Sequence, residues 1–89
     1  MSEPQSQMYA AMEEAGRADR KKREAAEALR VRQHEYETAN QRGRQQQIKR
    51  ARAALAAAQV AYEAAKRDVQ RLDDKAEEVA QAQVRAAYM

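Results

Sequence analysis

The chain has 89 residues and a formal net charge of +3; 22 residues are alanine and only nine are leucine, isoleucine or valine. So few large apolar side chains in so short a chain cannot enclose a thick core, which excludes a doubly wound sheet or a pocketed enzyme domain. Alanine, glutamate, lysine, leucine and arginine together make up more than half of the sequence, a bias typical of long helices and coiled coils.

The first half of the chain predicts a helix over residues 3–39. Ser2, Pro4 and Gln5 form the pattern of a helix start, with a capping serine, an early proline and a glutamine three residues after the serine. A seven-residue repeat with two apolar positions follows, which indicates one helix face that packs against a partner. Those positions are Met8, Ala15, Lys22, Leu29 and Tyr36, and Ala11, Ala18, Ala25, Arg32 and Ala39.

A turn is predicted over residues 40–47, the longest stretch without an apolar side chain. Asn40 and Gly43 lie within it, and both residue types adopt the left-handed backbone conformation that ends helices.

The second half predicts a helix over residues 48–88 with a stronger repeat. Eleven of its twelve repeat positions are apolar, Gln83 being the exception. The regularity is typical of a coiled-coil seam. The positions are Ile48, Leu55, Tyr62, Val69, Ala76 and Gln83, and Ala51, Ala58, Ala65, Leu72, Val79 and Ala86.

Folding the chain at Gly43 places nearly every large seam residue opposite an alanine. Leu29 then faces Ala58, and Tyr36 faces Ala51. We therefore predict an all-α fold, a single domain over residues 1–89 built as an antiparallel two-helix coiled-coil hairpin with an alanine-rich seam. The alternative is a single long helix in a parallel coiled coil, but the repeat is out of register across residues 36–48.

The alanine seam also bears on the oligomeric state. Small side chains bury little area in each layer, so an isolated hairpin is expected to be marginally stable. We therefore expect a homodimer, or a partner protein that completes the core.

The sequence holds no recognisable catalytic or cofactor-binding motif. There is no cysteine, and His34 is the only histidine, so neither a thiolate site nor a two-histidine metal site is available. Acidic pairs such as Asp73 and Glu77 are interpreted as a solvated helix face. We predict no enzyme activity, no cofactor and no metal site.

Charge is unevenly distributed along the hairpin. Residues 17–52 carry a net charge of +7, whereas residues 1–16 carry −3. The bend is therefore predicted to be basic, and a basic surface can steer an acidic protein or contact nucleic-acid phosphates. The residues assigned to this basic tip are Arg42, Arg44, Arg50 and Arg52.

Large apolar residues outside the seam gather at the opposite, open end. Flexible methionine and amphipathic tyrosine side chains are typical of adaptable docking surfaces. Alternatively, the two termini pack together and cover these side chains. The residues of this open-end cluster are Tyr9, Met12, Val84, Tyr88 and Met89.

Together these features predict a non-enzymatic protein-interaction module, a small adaptor or inhibitor that docks on a larger protein. The alternative is a nucleic-acid-binding or scaffolding protein that uses the basic tip. With no signal peptide and no bilayer-spanning apolar stretch visible, we expect a cytoplasmic protein that does not bind membranes. The excess of arginine over lysine favours a bacterial or phage source, and a phage-type modulator of a host machine fits the small size.

Overall fold

The computed structural model describes residues 3–88, and the surroundings of side chains from Tyr9 onwards. The chain forms two helices, α1 (Glu3–Arg42) and α2 (Gln45–Tyr88), which pack against each other. The predicted all-α helical hairpin is therefore confirmed, and the chain does not form the alternative single long helix. Ser2 and Met89 lie outside the described residues, and the predicted dimer stays a prediction.

The bend between the helices occupies only Gly43 and Arg44. Gly43 has a φ of +71°, and its N–H donates a 3.0 Å hydrogen bond to the carbonyl of Ala39. This left-handed residue, with a bond back to the fourth residue before it, is a common glycine helix end. The next helix starts at once, since the Ile48 N–H donates a 3.0 Å bond to the carbonyl of Arg44.

Both helices extend three residues further into the bend than the apolar pattern indicates. The segment 40–47 lacks apolar residues, yet glutamine and arginine are good helix formers. The lack of apolar residues in this segment shows only that its helical turns bury no face. The backbone leaves the helical conformation at Gly43 and Arg44 alone.

The predicted seam is shielded over the central part of the hairpin, which we call the central seam. Within residues 18–72, every predicted seam position is buried or half-buried except Arg32, which is exposed and pairs with Glu35 at 2.8 Å. Ala39, beside the bend, is the most buried apolar residue of the described part at 8% exposure. Two helices can cover only one side of each other, so the other positions of the central seam stay partly solvated.

Ion pairs do not join the two helices in the described part of the chain. All six pairs link residues three or four apart within one helix, and their side chains are exposed except for the half-buried Lys66. Such pairs add about 0.3–0.5 kcal/mol each to helix stability. The cohesion between α1 and α2 therefore comes mainly from the apolar seam.

Near the two chain ends, the seam side chains of one helix are not shielded by the other helix. The predicted seam positions Ala11, Ala15, Ala76, Val79, Gln83 and Ala86, which we call the outer seam, are exposed. The molecule measures 67 × 24 × 13 Å, and 24 Å exceeds the width of about 15 Å that two straight helices in contact would have. The two helix axes are therefore not parallel over their whole length.

Candidate protein-interaction surfaces

The open-end cluster is accessible to a partner. Tyr9 is 61% exposed, Met12 64%, Val84 55% and Tyr88 88%. The fifth predicted member, Met89, lies outside the described residues. The alternative arrangement, in which packed termini cover these side chains, is not adopted by the four described members.

Helix periodicity arranges these four side chains in two pairs. Tyr9 and Met12 are three residues apart on α1, and Val84 and Tyr88 are four residues apart on α2, so each pair lies within one helical turn on one face. Val79, also on α2, is 51% exposed and belongs to the outer seam. At 3.6 residues per turn, Val84 and Tyr88 lie on the side of α2 away from the seam row of Val79, so the apolar side chains at the end of this helix form two separate surfaces.

The open end is also acidic. Residues 9–17 and 73–88 carry six carboxylates and three basic side chains. One ion pair is found among the described side chains of these segments, between Arg17 and Glu13 at 3.4 Å. Asp74 accepts a 3.0 Å hydrogen bond from Gln70. Among the described side chains, the carboxylates of this end other than Glu13 therefore form no ion pair.

The opposite end is the basic tip, and all four of its predicted arginines are exposed. Lys49 lies among them and is exposed as well. Residues 38–62 contain these five basic side chains and no aspartate or glutamate. The first turn of α2 also lacks an acidic residue, so the positive end of the helix dipole adds to the same field. The tip is thus a concentrated positive surface.

Tyr36 connects the basic tip to the seam. Its hydroxyl lies beside the Arg52 guanidinium of the other helix and beside the Asn40 side chain of its own helix. Hydrogen bonding from Arg52, then from Asn40, and the positive charge of Arg52 lower the pKa of the Tyr36 hydroxyl from its ordinary value of 10.0. Sequence reasoning missed this link, because the repeat assigns Tyr36 to the seam and Arg52 to the tip without indicating that they meet.

A second interaction that the repeat does not indicate involves Tyr62. The Lys66 ammonium lies 5.0 Å from the centre of the Tyr62 ring, one turn further along α2. Lys66 is half-buried and also pairs with Glu63 at 3.1 Å. The stem of this lysine therefore covers the edge of the seam, and its charge stays at the surface.

The rest of the described surface offers little for small-molecule chemistry. A depression beside His34 and Val31 is lined by α1 alone, and another beside Asp74 and Glu78 is lined by α2 alone. Within residues that the structure describes, no three metal-binding side chains come together. Over the same part of the chain, neither helix has an apolar stretch that would cross a bilayer.

Comparison with known proteins gives no counterpart from which a role can be transferred. No family model, no curated protein and no solved structure matches the chain. The function must therefore be argued from the two end surfaces and from the seam that separates them.

Proposed function

We propose that the chain is a non-enzymatic protein-interaction module, an adaptor or inhibitor that docks on a larger protein through its open end. The observation that carries the proposal is the exposure of Tyr9, Met12, Val84 and Tyr88, each more than half accessible, beside an outer seam that the hairpin leaves uncovered. Clustered large apolar side chains on a small polar protein are characteristic of interaction sites.

The energetics of the hairpin support the same conclusion. The central seam consists largely of alanine, so it buries little area for each turn of helix. A partner that covers the open end would remove further apolar surface from water and would stabilise the outer turns of both helices. Binding and completion of the fold would then be the same event.

The charge distribution supports a steering role for the charged ends and a contact role for the apolar side chains of the open end. The basic tip and the acidic open end lie at opposite ends of a molecule 67 Å long, so the hairpin has a large electric dipole. Such a dipole orients the hairpin as it approaches a charged partner and raises the association rate. The apolar side chains of the open end then supply the contacts that slow dissociation.

The proposal is tested by affinity capture from a nuclease-treated lysate of the source cells. Three tagged forms are compared: the wild type, the double variant Val84→Gln with Tyr88→Gln, and the control Val60→Gln. Val60 is 67% exposed and lies in the middle of α2, so its replacement matches the chemistry without touching the open end. Glutamine favours helix, which leaves the fold intact.

We expect one stoichiometric protein to be retained by the wild type and by the control and to be lost from the double variant. Retention of the same protein by all three forms would refute docking through the open end. A signal that disappears with nuclease in all forms would favour the second candidate.

That second candidate is a nucleic-acid-binding or scaffolding role for the basic tip. It is favoured by the five exposed basic side chains of residues 38–62, a segment that contains no aspartate or glutamate. Phosphate binding would weaken steeply between about 50 and about 200 mM salt. Replacing Arg42, Arg44, Arg50 and Arg52 by glutamine would abolish it, while a flat salt response of the wild type would count against this role.

A further inference from the structure

The side of α2 that faces away from α1 carries an uncharged apolar stripe near the middle of the helix. The seven-residue repeat that defines the seam places four exposed residues on this opposite side, and we call them the rear stripe. They are Ala53, Ala57, Val60 and Ala64. On α1 the corresponding side is charged, since Arg20, Glu24 and Glu27 lie there. The rear stripe therefore distinguishes α2 from α1.

Charged residues of opposite sign lie at the two ends of the rear stripe, on the same side of α2. Toward the bend these are Lys49 and Arg50, and toward the open end they are Asp74 and Glu77. All four are exposed, and none forms an ion pair with the described side chains. By the repeat, Arg50 and Asp74 continue the rows of the stripe, whereas Lys49 and Glu77 flank it along one edge. This side of the helix therefore offers apolar contact in its middle and charges of both signs at its ends.

We infer that two copies of the chain pair through the rear stripe, with the two α2 helices antiparallel about a two-fold axis near Val60. Arg50 then lies opposite the partner's Asp74, and Lys49 lies beside the partner's Glu77. Because a two-fold interface uses the same surface on both copies, each of these contacts occurs twice. The inference goes beyond the proposed function and does not depend on it.

Charge selects both the orientation and the register of the pair. A parallel pair would set each charged residue beside its own counterpart, and like charges repel each other. An antiparallel pair could shift by one seven-residue repeat. A shift in one direction sets Arg50 against the partner's Arg67, and a shift in the other sets Asp74 against the partner's Ala57. Neither shift brings the basic end of one stripe to the acidic end of the other.

In the register that pairs opposite charges, large side chains lie opposite alanines, as they do in the central seam. Val60 lies opposite the partner's Ala64, and the stem of Arg67 covers the partner's Ala57 while its guanidinium reaches water. Glu63 lies near the two-fold axis, and it pairs with a lysine of its own helix at 3.1 Å. That ion pair limits the repulsion between the two copies of this glutamate.

The contact is long but narrow. It extends from the start of α2 to Val79 on each copy, about 50 Å at 1.5 Å per residue, and one helix is about 10 Å wide. The footprint is therefore on the order of 500 Å² on each copy and about 1,000 Å² in total, near the lower limit for a specific interface. We expect a dimer that forms at micromolar concentrations and above and that dissociates on dilution.

The dimer leaves the open end of each copy accessible. Residues 80–88 extend past the bend of the partner, so Val84 and Tyr88 stay outside the contact. The two open ends then lie at opposite ends of the dimer. Pairing through the rear stripe is therefore compatible with docking through the open end, and it would give the dimer two separate docking surfaces.

The test reverses the charges at each end of the rear stripe. One variant combines Lys49→Glu with Arg50→Glu, and the other combines Asp74→Lys with Glu77→Lys. All four positions are exposed and the new residues favour helix, so each variant keeps the fold. Sedimentation equilibrium measures the self-association of the full-length proteins, alone and as an equimolar mixture of the two variants, and circular dichroism verifies their helix content.

The matched control combines Arg20→Glu with Lys21→Glu. It has the same net charge as the first variant but places the change at exposed positions of α1. We expect the wild type and the control to form dimers of twice the monomer mass. Each charge-reversal variant alone should associate at least about tenfold more weakly, because like charges then face each other at both ends. In the mixture opposite charges meet again, so a heterodimer with an affinity near that of the wild type should form.

A wild type that stays monomeric up to about 1 mM would overturn the inference, and so would a mixture that associates no better than its two components. Equal weakening of the control would overturn it as well, because net charge and not this side of α2 would then govern association. Mass that grows beyond a dimer would refute the closed two-fold pair and would indicate head-to-tail assembly. None of these results decides docking through the open end, which the lysate capture tests separately.

Discussion

The guanidinium of Arg52 in α2 stands beside the hydroxyl of Tyr36 in α1 and lowers the pKa of that hydroxyl. The predicted register places Tyr36 opposite Ala51, the residue next to Arg52, so this link agrees with the register to within one residue. The same link fixes a positive side chain of the basic tip against the seam. It is therefore a measurable marker of how the two helices are aligned.

Replacing Arg52 by glutamine should raise the pKa of Tyr36. The arginine favours the phenolate through its hydrogen bond and its charge, and glutamine keeps at most the hydrogen bond. Carbon-13 labelling of the tyrosine ring and a pH titration by nuclear magnetic resonance would show the change. Arg44→Gln is the matched control, because it removes a tip arginine that does not lower the pKa of Tyr36. An equal shift in both variants would mean that the tip acts by its total charge.

The same link predicts how stability depends on pH. The pKa of Tyr36 is lower in the folded chain than the ordinary value of 10.0, so between these two values the unfolded state binds more protons. The free energy of unfolding should therefore rise with pH across that window, and the gain should be absent below it, where Tyr36 is protonated in both states. Urea unfolding of the wild type and of Arg52→Gln on both sides of the window tests this. Parallel pH profiles of the two proteins would contradict it.

The two glycines should respond to alanine in opposite directions. Gly43 has a φ of +71°, and nothing lies within 4 Å of an added Cβ, so Gly43→Ala should cost about 1–2 kcal/mol through backbone strain alone. Gly16 is helical with equally open surroundings, so Gly16→Ala should stabilise by about 0.5–1 kcal/mol. Urea unfolding measures both. Stabilisation by Gly43→Ala would mean that the bend had been replaced by continuous helix.

Enlarging the most buried seam residue should destabilise the hairpin. Ala39 is 8% exposed beside the bend, so Ala39→Leu should cost about 1–3 kcal/mol by overpacking. Ala57 is an exposed alanine of α2, and Ala57→Leu should change stability little. Thermal unfolding of the two variants gives the comparison. Equal stability would show that the seam near the bend has room that the structure does not indicate.

Deleting residues 84–89 should separate folding from binding. The shielded seam ends at Leu72, so the shortened chain should keep its unfolding midpoint and lose only the helix signal of the deleted residues. Because Val84 and Tyr88 go with the deletion, capture of the partner protein should be lost. A large fall in the unfolding midpoint would show instead that the last turns of α2 stabilise the hairpin.

Much of this fold follows from the sequence. The seven-residue repeat identified the seam, since one face of a helix must be apolar wherever two helices pack, and Gly43 marked the bend because its left-handed conformation suits glycine. The charge of the tip followed from the same placement. The exact limits of the bend did not follow from the sequence. Polar residues such as Gln41 and Gln46 give the same pattern without apolar positions whether they are helical or not.

The extent of packing, in contrast, was decided by the tertiary structure. The repeat runs through Ala76 and Val79 as regularly as through Leu55, yet only the central part is shielded. A repeat records which face of a helix is apolar, and it does not record whether another helix lies close enough to cover that face. The accessible open end and the contact between Tyr36 and Arg52 both depend on the path of two helix axes in space, which is set by the sum of all contacts along the hairpin and by no single residue.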